Sequence, residues 1–409
     1  MKQSMDNSGE NSQMPGPLAG IKVLDLTQYV SGPYSTMMLA DLGAEVIKVE
    51  RPKTGDVYRQ QGPDFLNGES TTFLSLNRNK KSLTLNLKDP RGTEIAAKLA
   101  RQVDVFFENF KPGTIERLGL GYKTLSALNP RLVYCSISGY GQTGPLREKG
   151  GYDLMVQGLG GLMSVTGEPN GNPVKAGLPV FDFGTGLMAV VGVLAALLAA
   201  EQTGKGQYID VSLFDCSISW LTVVAMGYSA TGKVPGRRGT ASHTFAPYQA
   251  YKARDGYVTV IGTGGKDSWG QLCKTLGLEE LIDDPRFSTN SKRLENLTEL
   301  STSIEEVLQT EDVTHWVEKL EQAGLACGPI NSLDQALAEP QVVAREMIQR
   351  IDHTAAGMLE VVGVPIKLSE TPGGVRDAPP LLGEHTNEIM SLLGYSQDEM
   401  DSLRDDGVI

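Results

Sequence analysis

GIKVLDL (20–26) and AEVIKVE (44–50) decide the fold. Each is a short run rich in Val, Ile and Leu broken by single charges, and between them Gly32-Pro33 opens a helical stretch through STMMLADLG. Strand, helix and strand within about 30 residues make a βαβ unit, the start of a parallel sheet.

Working outward, the alternation continues. A strand is expected near 82–87, a helix over 90–101, and strands at VDVFFEN (103–109) and RLVYCSIS (131–138). A helix follows Tyr152-Asp153, a long apolar helix follows Asp182, and QYIDVSL (207–213) reads as a further strand. The pattern predicts an α/β fold: a Rossmann-like large domain over 17–225 with an open, doubly wound parallel sheet. TGKVPGRRGTASH (231–243) then changes the texture to a linker or ordered loop. YQAYKARDGYVTVIG carries a DG turn between two β-rich runs, a hairpin signal. With amphipathic helices over 268–322 and AGLACGPINSLDQALAEP (323–340), residues 226–340 form linker and a smaller α+β domain. Residues 341–409 return to strands and a final helix that complete the large domain. Residues 1–16 read as a disordered polar tail without the apolar core of a signal peptide.

Hydrophobic residues at 40% and charged residues at 21% suit a soluble globular enzyme. They exclude disordered, collagenous and small disulfide-rich classes. Lys+Arg at 37 against Asp+Glu at 49 leaves a net charge of −12, so no nucleic-acid partner is expected. A local basic pocket for a small phosphorylated ligand stays open. Cys135, Cys216, Cys273 and Cys327 stand far apart without a CxxC pair, and predict buried thiols in a reducing, cytoplasmic setting. His243, His315, His353 and His385 form no HxH or HExxH pair, so no metal site is expected. FGTGLMAVVGVLAALLAA (183–200) has no charge over 18 residues, the lower limit for a membrane span. Bracketed by Asp182 and Glu201, it reads instead as a core or subunit-interface helix, with no membrane partner.

GYGQTG (139–144) fits GxGxxG after a strand, but Pro145 and LREKGG do not open an apolar helix. Glu50 ends the second strand where a dinucleotide enzyme holds a ribose, yet the first βα turn, TQYVSGP, lacks the glycine triplet. GxSxG is absent too, which leaves a carboxylate as the leading nucleophile or base by elimination. Asp182 is singled out between the apolar LPVF and the long helix. A helix start favours a carboxylate, so a plain N-cap is one reading and a reactive group the other. A cap does not explain the FGTG glycines, which would let a bulky ligand approach the backbone. Arg51, Lys80-Lys81, Lys88, Asn109-Phe110-Lys111 and Arg117 punctuate the ends of strands, where open α/β sheets bind ligands. Singly they read as solvated surface; together they form a candidate phosphate site.

PLAGIKVLDLTQYVSGP, LADLGAEVIKVERP, NRNKKSLTLNL, ENFKPGTIERLGLGY, GYGQTGP, TGKGQYIDVSLFD, CGPINSL and LLGEHT run in order over residues 17–409. This series resembles the class III (family III) CoA-transferases, whose relatives include formyl-CoA transferase, carnitine CoA-transferase, succinyl-CoA-dependent dicarboxylate transferases and the α-methylacyl-CoA racemases. The resemblance implies an interlocked homodimer and a catalytic carboxylate at Asp182, in GLPVFDFGTGLM. It implies CoA contacts at Val30, Ser31, Arg51, Leu85 through Lys88, Asn109, Phe110, Lys111 and Arg117. Tyr152 and Asp153 match a segment flanking the active site, and Lys149 stands beside the position of a family lysine that has no strict counterpart. Gly264 and Gly265 of GTGGKD are candidate oxyanion donors, or a plain turn. No cofactor beyond CoA and acyl-CoA substrates is implied.

The racemases carry GHD where this chain has Gly151-Tyr152-Asp153. Their histidine serves as a base, and a tyrosine of reference pKa ~10 serves poorly in its place. The expected reaction is therefore CoA transfer; the alternatives are a racemase-type epimerase and a non-catalytic acyl-CoA-binding protein. GRRGTASH resembles the branch that moves CoA from succinyl-CoA to small dicarboxylates. There Arg237, Arg238 and His243 are candidates to clamp a distal carboxylate, or a solvated loop.

Overall fold

The structure, a computed structural model, describes residues 16–263, 265 and 267–409. Gly264 and all but the last residue of the expected tail lie outside the described residues. The chain divides into two compact units, one of residues up to 160, 176–222 and 341–409, the other of 161–175 and 223–340.

The first unit is built on six strands: β1 (Lys22–Asp25), β2 (Glu45–Glu50), β3 (Lys80–Thr84), β4 (Val105–Glu108), β5 (Val133–Ser138) and β6 (Tyr208–Ser212). All pairings are parallel, in the order β3-β2-β1-β4-β5-β6. Val23 lies opposite both Val46 and Val105, and Val105 opposite Val133, so one apolar row runs across the middle of the sheet. Every carboxyl end faces one edge, and the strand order reverses at β1, which opens a crevice between the turns after β1 and β4.

Five helices matter for the site: α1 (Ser31–Asp41), α2 (Pro90–Ala100), α3 (Asp153–Leu159), α4 (Val180–Thr203) and α5 (Leu213–Trp220). α2 starts where Asp89 accepts the Arg91 N–H and Pro90 presets the first turn. α4 is long and apolar enough to cross a membrane by length and composition. One face, including Phe181, Ala189, Val193 and Ala196, is buried against its own unit. The opposite face, with Leu187, Met188, Val191, Leu194 and Leu198, is apolar and uncovered in the single chain.

Lys80 and Lys81 prove to belong to the start of β3 rather than to a strand end. The Lys80 ammonium is buried and bound by Asp25, Asn77 and the Pro33 carbonyl, so a charge-rich dipeptide concealed the strand start.

The second unit has an antiparallel sheet of β7 (Tyr248–Lys252), β8 (Tyr257–Ile261) and β9 (Ala326–Pro329), with β8 central. Helices α6 (Ser268–Leu276), α7 (Leu297–Leu308) and α8 (Val313–Gln322) pack Leu272, Leu300, Ile304, Trp316 and Leu320 with Tyr251, Val258 and Val260 of the sheet. Residues 161–175, placed in the large domain by the sequence pattern, belong to this unit instead. The Gly167 carbonyl accepts the Gly239 N–H at 2.8 Å, and Arg237 binds the carbonyls of Glu168 and Gly171.

The chain then returns to the first unit with a hairpin, β10 (Ile348–His353) and β11 (Gly357–Val362), and helices α9 (Thr386–Leu392) and α10 (Gln397–Asp405). Ile389, Met390, Met400, Leu403, Val408 and Ile409 enter the same core as Leu24, Phe106 and Leu132. Cys135, Cys216 and Cys273 are buried, Cys327 is half-buried, and all four thiols are free.

Candidate active site

The crevice is organised by buried charge. At the end of β1, Asp25 accepts from Thr27 N–H and Oγ1 and from Thr36 Oγ1, and pairs with Lys80. The lysine charges and hydroxyls overcome its burial and hold its carboxyl at about 2. Lys48 pairs with Asp56 at 2.8 Å and donates to the Thr27 carbonyl. Asp56 in turn accepts the Tyr58 N–H at 3.0 Å. Glu50, at the ribose position of a dinucleotide enzyme, takes two bonds from Arg59 and one each from Ser82 Oγ and the Asp56 N–H. Its carboxylate is saturated by the fold and has no capacity for a ribose.

Two cavities open along the carboxyl edge. A cavity of about 480 Å³ is lined by Arg51, Lys53, Leu85 through Lys88 and Phe110 among others, which brings six of the expected CoA contacts together. Lys53, in the left-handed region at φ 67°, and Gly407 are members that sequence reading missed. The second cavity, about 290 Å³, joins Ser31, Asn109, Phe110 and Lys111 to Lys149, Tyr152 and Asp182. Tyr29 and Tyr58 also line it, and the sequence reading singled out neither.

The other expected residues fall differently. Val30 is buried at the cap of α1, and Arg117 is exposed, bonded to Thr114 Oγ1, and lines neither cavity. The Asn109 amide is engaged by both backbone groups of Gln28, at 2.9 and 2.7 Å, so it braces the first βα turn. Beneath it, buried Glu108 takes the Phe110 N–H at 2.8 Å and a bond from Ser136 Oγ; burial pushes its carboxyl up to about 7. In the second unit, Gly265 lines a pocket with Trp269 and Arg293. Arg237 donates through Nε and Nη2 to the carbonyls of Glu168 and Gly171. Arg238 retains a buried Nη1 without a hydrogen-bond partner among the described residues, and His243 is pushed down by burial and by the Arg238 charge.

Asp182 lies in the first turn of α4 but does not cap it; the cap position is Pro179. The capping role falls to Asp153, whose Oδ1 accepts the Phe181 N–H at 2.8 Å. The Asp182 carboxylate accepts no hydrogen bond from the described residues. Burial pushes it up to about 7, and the Asp153 charge adds to the effect. Burial and then the Asp182 charge raise the nearby Tyr58 phenol. A largely buried carboxylate in the first turn of a helix, lining a cavity and without a hydrogen bond from the described residues, keeps its lone pairs free for chemistry there.

The FGTG glycines serve packing rather than ligand approach. A Cβ on Gly184 would meet the Trp220 ring at 2.5 Å, and one on Gly186 the Ser31 carbonyl at 2.9 Å. Their absence lets α4 lie close against α5 and α1.

The model of "CoA-transferase family III" matches residues 18–386. The chain belongs to this family. This family III CoA-transferase is 42% identical to the human "Succinyl-CoA:glutarate CoA-transferase" over 394 residues, covering 96% of this chain and 90% of that protein. It is 39% identical to the "Succinate--glutarate CoA-transferase" of Agrobacterium fabrum, covering 92% of this chain and 96% of that one. A crystal structure of a CaiB/BaiF family protein from Brucella suis superimposes with a TM-score of 0.82 at 40% identity, over 93% of this chain and all of that chain. The enzyme is thus a CoA-transferase.

Proposed function

We propose that the enzyme moves CoA from succinyl-CoA to a small dicarboxylic acid, with Asp182 as the nucleophile. The observation that carries this is the Asp182 carboxylate, desolvated and unbonded, in one cavity with the Asn109-Phe110-Lys111 turn. Asp182 attacks the donor thioester; the C–S bond breaks, giving an aspartyl–acyl anhydride and CoA thiolate. The thiolate attacks the aspartyl carbonyl, releasing succinate and leaving an aspartyl-CoA thioester. The acceptor carboxylate attacks that thioester, and the returning thiolate carries off the new acyl group. Each step exchanges one acyl bond for another of similar energy, so no cofactor beyond CoA is required. Water must be kept out, because both intermediates hydrolyse.

Arg51, Lys53 and Lys88 around the larger cavity supply charge for the CoA phosphates. The donor and acceptor classes are supported by the names of the relatives, all at about two-fifths identity. A homodimer is supported by the uncovered apolar face of α4, which water would otherwise wet. Four free thiols fit a reducing compartment such as the cytoplasm.

The test is mass spectrometry of CoA esters after incubation with succinyl-CoA and a panel of carboxylic acids. A new dicarboxylyl-CoA that disappears with Asp182→Ala supports the reading. Equal turnover by Asp182→Ala refutes the nucleophile, and transfer only to monocarboxylates refutes the substrate class.

A further inference from the structure

We infer that Tyr29 sets the length of acid the enzyme accepts, its ring closing one end of the cavity that holds Asp182. This rests on the transferase reading of that cavity. Tyr29 sits in the first βα turn with φ 67°, the left-handed region, where a bulky side chain is an outlier. The turn is clamped into that shape from both sides. Asn109 holds the N–H and the carbonyl of Gln28, and Asp56 Oδ1 lies 3.5 Å from the Tyr29 nitrogen.

Burial does not account for the strain, since Tyr29 remains 39% exposed. What the conformation achieves is placement. The Tyr29 ring meets Tyr58 edge-on at 5.6 Å and Tyr152 edge-on at 6.3 Å, and all three line the Asp182 cavity. Edge-to-face contacts with two neighbouring rings favour this placement of the Tyr29 ring in the cavity wall. Strain kept at a partly exposed residue that lines a cavity points to function.

The experiment compares kcat/KM for linear dicarboxylic acids from malonate to suberate, with succinyl-CoA as donor. The variants are Tyr29→Asn and Tyr29→Gly, both compatible with a left-handed backbone, and Tyr29→Phe, which keeps the ring. Asn and Gly are expected to raise the ratio for long over short acids roughly tenfold or more, whereas Phe keeps the wild-type ratio. Two small variants guard against a folding loss in either. If active Asn and Gly variants keep the wild-type ratio, Tyr29 does not set length, and the transferase reading stands. If the wild-type enzyme transfers CoA to no acid, the transferase reading fails and this inference fails with it.

Discussion

Asp153 holds the Phe181 N–H at 2.8 Å, which fastens the residue before Asp182 to a second buried acid. Gln157 donates to the other Asp153 oxygen and accepts the Ala176 N–H at 2.8 Å, so one side-chain pair anchors both ends of the stretch leading into α4. Asp153 therefore positions Asp182 and also raises it by like charge. Asp153→Asn preserves an oxygen for Phe181 while removing the charge. The acid limb of the pH–rate profile is expected to move to lower pH, stopping short of the ordinary carboxylate range because burial is the larger cause. Lys111, Lys149 and Tyr58 share the cavity and are unchanged in this comparison. A limb that stays in place would show that Asp153 has no electrostatic influence.

Asp182 also carries a stability cost that depends on pH. Its carboxyl is raised from 3.8 to about 7, so between those values the folded state holds a proton that the unfolded chain has lost. Stability contributed by this group therefore falls as pH rises through that window. Asp182→Asn is expected to unfold at higher temperature than wild type at about pH 8, with little difference at about pH 4. The bound is about 4 kcal/mol, at ~1.36 kcal/mol per unit. Thermal denaturation at both pH values decides; an equal difference at each would contradict it.

Arg51 is exposed at the rim of the larger cavity, with Lys53 and Lys88 on the same wall. Arg51→Ala is expected to raise KM for the CoA ester by about tenfold, the loss of one charge-assisted bond, with kcat little changed. The difference should shrink in high salt. Steady-state kinetics with succinyl-CoA measure it, and an unaltered KM removes Arg51 from the phosphate site.

Gly186→Ala tests the contact between α4 and α1. The new Cβ would lie 2.9 Å from the Ser31 carbonyl and 3.0 Å from the Tyr34 ring, and would disturb the Ser35 hydroxyl bond to the Gly186 carbonyl. A loss of about 1–3 kcal/mol is expected in denaturant unfolding, against the usual gain from alanine in a helix. A variant as stable as wild type would mean the helices can separate without penalty.

The sheet was legible because its strands are rich in Val, Ile, Leu and Phe: VLDL, VFFE and VYCSIS stand out as largely apolar runs, and EVIKVE sets its charges among Val and Ile. The Asp182 reading came from elimination and resemblance, since nothing local tells a cap from an unbonded acid. That distinction depends on Asp153, about thirty residues away, taking over the cap. Tyr29 was illegible for the same reason. Its left-handed backbone is imposed by Asn109 and Asp56, and its own neighbours in sequence carry no sign of it. Arg237 has partners that the glycine-rich loop around it does not announce: the carbonyls of Glu168 and Gly171, nearly seventy residues away in sequence.

The return of residues 341–409 to the first unit has a consequence for synthesis. All six strands of the parallel sheet leave the ribosome well before Ile389, Met390, Met400 and Leu403, which cover the same core. Residues 223–340, all of the second unit but its 161–175 segment, are translated in the interval. The nascent sheet must therefore wait with an apolar flank open while a neighbour folds, the state in which a growing chain most needs a chaperone's cover.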